Sequence, residues 1–171
     1  MNYDYKTFYE KNAAFFNGRP RLKKALIKTN TLLTSLFFIA YLLLIGFQLK
    51  KDIDLGELSK LIFIPALTLF LVSVLQFTIK RPRPYAADGA GIAPFIKKKK
   101  ENSSSFPSRH TASAFVIALV FLPYFTAVGI MLLLLSFVMG YIRFALGLHY
   151  PSDVVCGGVL GAIIGALIFI L

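Results

Sequence analysis

The sequence predicts an all-α, multi-pass transmembrane helical bundle, and three observations predict it. Hydrophobic residues make up 57% of the 171-residue chain, a larger share than a soluble domain of this size carries. Mean hydropathy is +0.69. Uncharged apolar runs long enough to cross a bilayer recur from residue 29 onward, and they follow one another too closely for a separate soluble module to fit between them. The expectation is one membrane domain over residues 1–171, with about five spanning helices and an N-terminal interfacial helix.

The elements follow in chain order. Residues 1–25 contain no long apolar run and no short apolar run with a small-residue cleavage site, so a removable signal peptide is not expected. Tyr3, Tyr5, Phe8, Tyr9, Phe15 and Phe16, set among Lys6 and Lys11, suggest an amphipathic helix at the membrane surface; a mobile tail is the alternative. Thr29 to Phe47 and Leu61 to Ile79 are each 19 residues without a formal charge, enough at about 1.5 Å per residue to cross roughly 30 Å of hydrocarbon.

A basic loop, residues 80–107, comes next. The uncharged run from Thr111 to Ile142 is too long for one ordinary span, and Pro123 with Tyr124 offers a turn, so a shorter helix followed by a longer one is expected. Val154 to Leu171 supplies the last span; its Gly157 and Gly161 form a G-x-x-x-G suited to close helix packing, with Gly158 and Gly165 alongside. Cys156 is the only cysteine, which excludes an internal disulfide and multi-cysteine metal sites.

Net charge is +11. With helices alternating in direction, the N-terminal segment, the 80–107 loop and the turn around His149 share one membrane face, which collects Arg81, Arg83, Lys97 to Lys100, Arg109 and Arg143. The opposite face receives Lys50, Lys51 and Lys60. Positive-inside topology and anionic lipid account for the Lys97 to Lys100 run. They do not account for Arg109 and Arg143, which sit at or inside helix ends. Nucleic acid is not an expected partner, because the aromatics belong to membrane spans and no base-stacking module is present.

The chain has two histidines, His110 and His149, each at an expected helix terminus on that same face. Pro151 suits the first position of the final helix, which puts Asp153 in its first turn. There Asp153 complements the helix dipole, and it is also spaced to accept the ring N–H of His149 and leave the other ring nitrogen free to attack. Ser108 and His110 follow Pro107 at the start of another helix, where unpaired backbone N–H groups can cradle a phosphate. Arginine binds two phosphate oxygens at once, and Arg83 and Arg143 are the candidates; Arg81 is equally read as part of a turn stiffened by Pro82 and Pro84.

KRPRPY at Lys80 to Tyr85, SFPSRH at Ser105 to His110 and RFALGLHYPSD at Arg143 to Asp153 together resemble the type 2 phosphatidic acid phosphatase superfamily. Its motifs run Lys-x6-Arg-Pro, Pro-Ser-Gly-His and Ser-Arg-x5-His-x3-Asp. Arg83, Pro84, Pro107, Ser108, His110, Arg143, His149 and Asp153 fall in register, while the N-terminal quarter contributes nothing. Three positions depart: Gln76 stands where the pattern has lysine, Arg109 where it has glycine, and Ile142 where it has serine. Lys80, one turn beyond Gln76, is the expected substitute for the missing lysine.

The resemblance implies metal-independent, cofactor-free hydrolysis of the terminal phosphate of a membrane lipid phosphate. His149 attacks to form a phosphohistidine, Asp153 orients it, and His110 protonates the departing oxygen. Arg83, Arg143, Ser108, Arg109, Lys80, Gln76 and backbone N–H groups hold the phosphate oxygens. Phosphatidic acid, phosphatidylglycerophosphate and polyprenyl diphosphate all fit as substrates, and a cell-membrane location is expected. A non-catalytic or transport-like lipid-phosphate binder is the alternative. Relatives commonly carry the site on the outer face, whereas the lysine and arginine count here favours the inner one.

Overall fold

The computed structural model describes residues 5–51, 53–86, 93–96 and 104–171. The Lys97 to Lys100 run and Tyr3 lie outside the described residues, as does the side chain of Tyr5. Among the described residues six helices follow in order: α1 (Tyr5–Asn17), α2 (Pro20–Lys50), α3 (Leu55–Ile79), α4 (Arg109–Phe121), α5 (Thr126–Ala145) and α6 (Pro151–Gly165), the last continued by a short 3-10 turn, Ala166–Phe169.

Among the described residues, four segments are long and apolar enough to cross a membrane: Pro20–Lys50, Leu55–Ile79, Thr126–Ala145 and Pro151–Phe169. The expected shorter helix after Thr111 is α4, and its 13 residues reach only about 20 Å, less than a bilayer core. Its role is central rather than peripheral. Nine of its residues, from Thr111 to Phe121, are buried among α2, α3, α5 and α6. By contrast Leu43, Phe70, Phe77, Phe137 and Ile163 point outward and are each at least 60% exposed. Such an apolar exterior is stable because lipid, not water, is the surrounding solvent.

The glycines of α6 decide how near it comes to α4. A Cβ added at Gly157 would lie 2.6 Å from the Ser108 carbonyl oxygen, and one at Gly161 would collide with the Ala112 carbonyl. Backbone therefore packs on backbone, as the G-x-x-x-G spacing predicted. At the end of that seam the Ser108 N–H donates to the Asp153 carbonyl oxygen at 2.9 Å, so the starts of α4 and α6 are locked side by side.

Helix α1 docks on the turn between α5 and α6. The Tyr9 hydroxyl donates to the Ala93 carbonyl at 2.7 Å, and the Asn12 amide donates to the Ala145 carbonyl at 2.9 Å. Gly147 adopts φ +72°, and a side chain there would strike the Tyr9 ring. The turn that delivers His149 is thus shaped by glycine and covered by an aromatic.

Candidate active site

Three segments meet at one end of the bundle: residues 81–85 after α3, residues 104–110 leading into α4, and residues 148–153 between α5 and α6. The Ser105 N–H donates to the Arg81 carbonyl at 2.8 Å and the Ser105 hydroxyl to the Pro82 carbonyl at 3.2 Å, which ties the first two together. The Ser108 bond to Asp153 ties in the third.

His149 is 1% exposed. Its Nδ1 lies 2.8 Å from the Ser105 carbonyl oxygen, and a carbonyl can only accept, so Nδ1 carries the hydrogen. Its Nε2 faces Arg83 Nη1 at 3.3 Å, and a guanidinium can only donate, so Nε2 presents its lone pair. Two independent contacts demand the same tautomer. Burial, the leading cause, pushes the His149 pKa down to about 4; Asp153 opposes it, while the nearby Arg143 and Arg83 charges reinforce it. At neutral pH the ring is uncharged, with its lone pair at Nε2.

The expectation that Asp153 accepts the His149 N–H needs correction in its geometry. Asp153 Oδ2 stands 3.7 Å from Nδ1, beyond hydrogen-bond reach, and the acceptor is the Ser105 carbonyl instead. Asp153 is fully buried and already occupied: Oδ2 accepts the Tyr150 N–H at 2.9 Å and Oδ1 accepts from Arg81 Nη1 at 2.7 Å. It is near enough to stabilise positive charge on the imidazole without holding its proton. Its helix-capping role holds as well.

Arg81 also donates to the Ser152 hydroxyl at 2.8 Å and stacks over the Tyr150 ring, 4.1 Å from the centroid. It is the clamp on Asp153 rather than a group facing the opening. Arg83, 5% exposed, further donates to the Leu148 carbonyl at 3.1 Å and to the Ser104 carbonyl at 3.3 Å. Burial lowers its pKa, yet a guanidinium starts so high that it stays cationic.

Arg143, on the last turn of α5, is 3% exposed and donates from Nη1 to Asn30 Oδ1 of α2 at 3.0 Å. Its buried Nε–H has no hydrogen-bond partner among the described residues, an arrangement ready to receive an oxyanion. Ser108 is fully buried, its hydroxyl 2.9 Å from that of Thr111. It is the residue before α4, whose first N–H groups, those of Arg109, His110 and Thr111, have no intrahelical acceptor. His110 stands on this first turn and lines a cavity of about 310 Å³ together with Arg109.

Lys80 departs from expectation. It ends α3 in a left-handed conformation, φ 49°, and its ammonium lies over the Phe77 ring, 5.3 Å from the centroid; it does not substitute for the missing lysine. Gln76 instead donates from Nε2 to the Pro107 carbonyl at 2.9 Å and accepts at Oε1 from Arg109 Nη2 at 2.8 Å. Sequence reasoning missed Asn30, the Ser105 carbonyl and the clamp role of Arg81. A lone asparagine inside an apolar span was the available signal for the first. A backbone carbonyl leaves none.

With this geometry in hand, residues 57–171 match the PAP2 superfamily. The chain belongs to that superfamily. Among curated proteins, it is 31% identical over 101 residues to the lipid A 4′-phosphatase of Bacteroides thetaiotaomicron, covering 57% of this chain and 45% of that one. It is 32% identical over 100 residues to the undecaprenyl-diphosphatase BcrC of Bacillus subtilis, covering 58% and 48%. The chain therefore aligns with about half the length of each of these curated relatives. Among solved structures, Aquifex aeolicus LpxE superposes with a TM-score of 0.71 at 27% identity, covering 95% of this PAP2 chain and 94% of LpxE.

Proposed function

We propose that this PAP2 protein is a lipid phosphate phosphatase of the cell membrane that cleaves a terminal phosphate through a phosphohistidine. The observation that carries the reading is the pair of contacts on His149: Nδ1 committed to the Ser105 carbonyl, Nε2 presented as a lone pair beside Arg83. A phosphoryl group arriving between them draws Arg83 onto its oxygens and releases Nε2 to attack phosphorus.

As the N–P bond forms, positive charge grows on the ring, and Asp153 at 3.7 Å from Nδ1 stabilises it. His110 gives a proton to the departing oxygen. Water then attacks phosphorus, passes a proton back to His110, and returns the bonding pair to Nε2. Arg83, Arg143 through its unpaired Nε–H, Ser108 and the first N–H groups of α4 hold the non-bridging oxygens of that phosphate, and Arg109, held by Gln76, adds a contact to the head group from the start of α4. Lys80 has no part in this scheme.

Membrane embedding supports a lipid substrate, whose chains stay in apolar surroundings while the head group enters the cationic end. Phosphatidic acid, phosphatidylglycerophosphate and polyprenyl diphosphates share the required terminal phosphate. The test is phosphate release by purified protein from a panel of all three, in the presence of EDTA. Turnover is expected, His149→Ala is expected to abolish it with the melting temperature retained, and rapid quenching is expected to trap label on His149. Binding without release from any panel member would leave a lipid-phosphate binder as the correct reading.

A further inference from the structure

The cationic groups around His149 are not equivalent. Arg83 and Arg143 are buried and held by carbonyls and an amide, and the partly exposed Arg81 is held by the Asp153 carboxylate. Arg109 is exposed, and among the described residues no carboxylate forms an ion pair with it. Its guanidinium is nevertheless fixed. Gln76 Nε2 is committed to the Pro107 carbonyl, which aims Oε1 at Arg109 Nη2. A neutral amide thus positions the guanidinium without neutralising it.

The location of that charge is informative. Arg109 adjoins His110, the proposed proton donor to the departing oxygen, and the two line a cavity whose wall is otherwise largely apolar, with Phe37, Tyr41, Leu69 and Ile117 among its residues. Arg109 therefore borders an apolar cavity of the size and chemistry to receive a lipid tail beside the head group. A monoester departs as an alcohol, which needs a proton from His110 and no cation. A diphosphate departs as a lipid monophosphate bearing one to two negative charges, and a fixed guanidinium stabilises such a group as its charge develops.

We propose that Arg109, positioned by Gln76, binds the second phosphate of a lipid diphosphate and makes the protein prefer diphosphates to phosphomonoesters. The inference rests on the phosphatase reading and narrows it. His149 Nε2 bonds to the terminal phosphorus while the bond from that phosphorus to the bridging oxygen breaks. The bonding pair leaves with the lipid monophosphate, which takes the His110 proton. Water then cleaves the N–P bond, restoring both histidines and yielding inorganic phosphate.

Farnesyl diphosphate and farnesyl monophosphate carry the same tail and differ only in the leaving group, so kcat/KM for phosphate release from each, with the full chain in detergent, tests the idea. The wild-type protein is expected to favour the diphosphate. Arg109→Gln is expected to lower the diphosphate value by about 10²-fold and the monophosphate value far less, shifting the ratio by at least about tenfold; Arg109→Lys should recover part of it. Gln76→Ala should raise KM for the diphosphate more than it lowers kcat, and should add nothing in the Arg109→Gln background. Equal losses on both substrates, no loss on either, or a wild-type preference for the monophosphate overturns the inference and leaves the phosphatase reading standing. No release from either substrate removes the phosphatase reading itself, and this inference with it.

Discussion

The state of the His149 ring is open to direct measurement, because His110→Asn leaves His149 as the sole histidine of the chain. Its pKa falls from an ordinary 6.5 to about 4, chiefly through burial, a gap equivalent to about 3 kcal/mol of preference for the neutral ring. At pH 5.5 an ordinary histidine is roughly nine-tenths protonated, whereas this one is protonated to roughly 3%. The folded value is the lower one, so protonation favours the unfolded chain: stability is undiminished above about pH 6.5 and declines by up to about 3 kcal/mol as pH drops to about 4. Ring ¹⁵N shifts of histidine-labelled His110→Asn protein in micelles, followed through that range, report both the pKa and the tautomer. The Nδ1–H form with a midpoint near 4 is expected, and Asp153→Asn, which removes a group that raises the value, should move it lower still. A midpoint near 6.5, or the Nε2–H form at neutral pH, would refute the assignment of Ser105 as proton acceptor and of burial as the controlling force.

Two further perturbations probe the framework. Gly157→Val inserts a branched side chain where a single Cβ already lies 2.6 Å from the Ser108 carbonyl; it is expected to cost about 1–3 kcal/mol and to suppress phosphate release by separating Ser108 from Asp153, and a variant with wild-type melting and turnover would contradict that account. Asn30→Ala strips the acceptor from buried Arg143, a loss of about 1–3 kcal/mol in thermal unfolding accompanied by a higher KM, while Asn30→Asp, which keeps an acceptor oxygen, should hold the guanidinium in place; identical behaviour of the two variants would show that Arg143 does not depend on α2.

The features of the fold that are legible in the sequence are those whose signal is local. Apolar runs mark α2, α3, α5 and α6, and Pro123 with Tyr124 marks the break before α5. The three motif segments carry Arg83, Ser108, His110, Arg143, His149 and Asp153 in the register that the family resemblance implies, and the fold brings those segments to one end of the bundle. Lys80 misled because one turn of separation suggested equivalence with position 76, whereas the left-handed end of α3 turns its side chain toward Phe77. The Asp153 contact misled because i,i+4 spacing is also met by a carboxylate already claimed by Arg81 and the Tyr150 N–H.

By itself, then, the sequence determined a helical membrane protein with two histidines and several arginines at one end, since hydropathy and motif spacing are properties of short stretches of chain. Tertiary structure alone decided which atoms serve one another: the Ser105 carbonyl that sets the His149 tautomer, 44 residues away; Asn30 beneath Arg143, 113 residues away; and Gln76 aiming Arg109, 33 residues away. The physical reason is that a hydrogen bond depends on position and direction within a fraction of an ångström, and those are fixed only once glycine-lined backbones such as α4 and α6 have packed together.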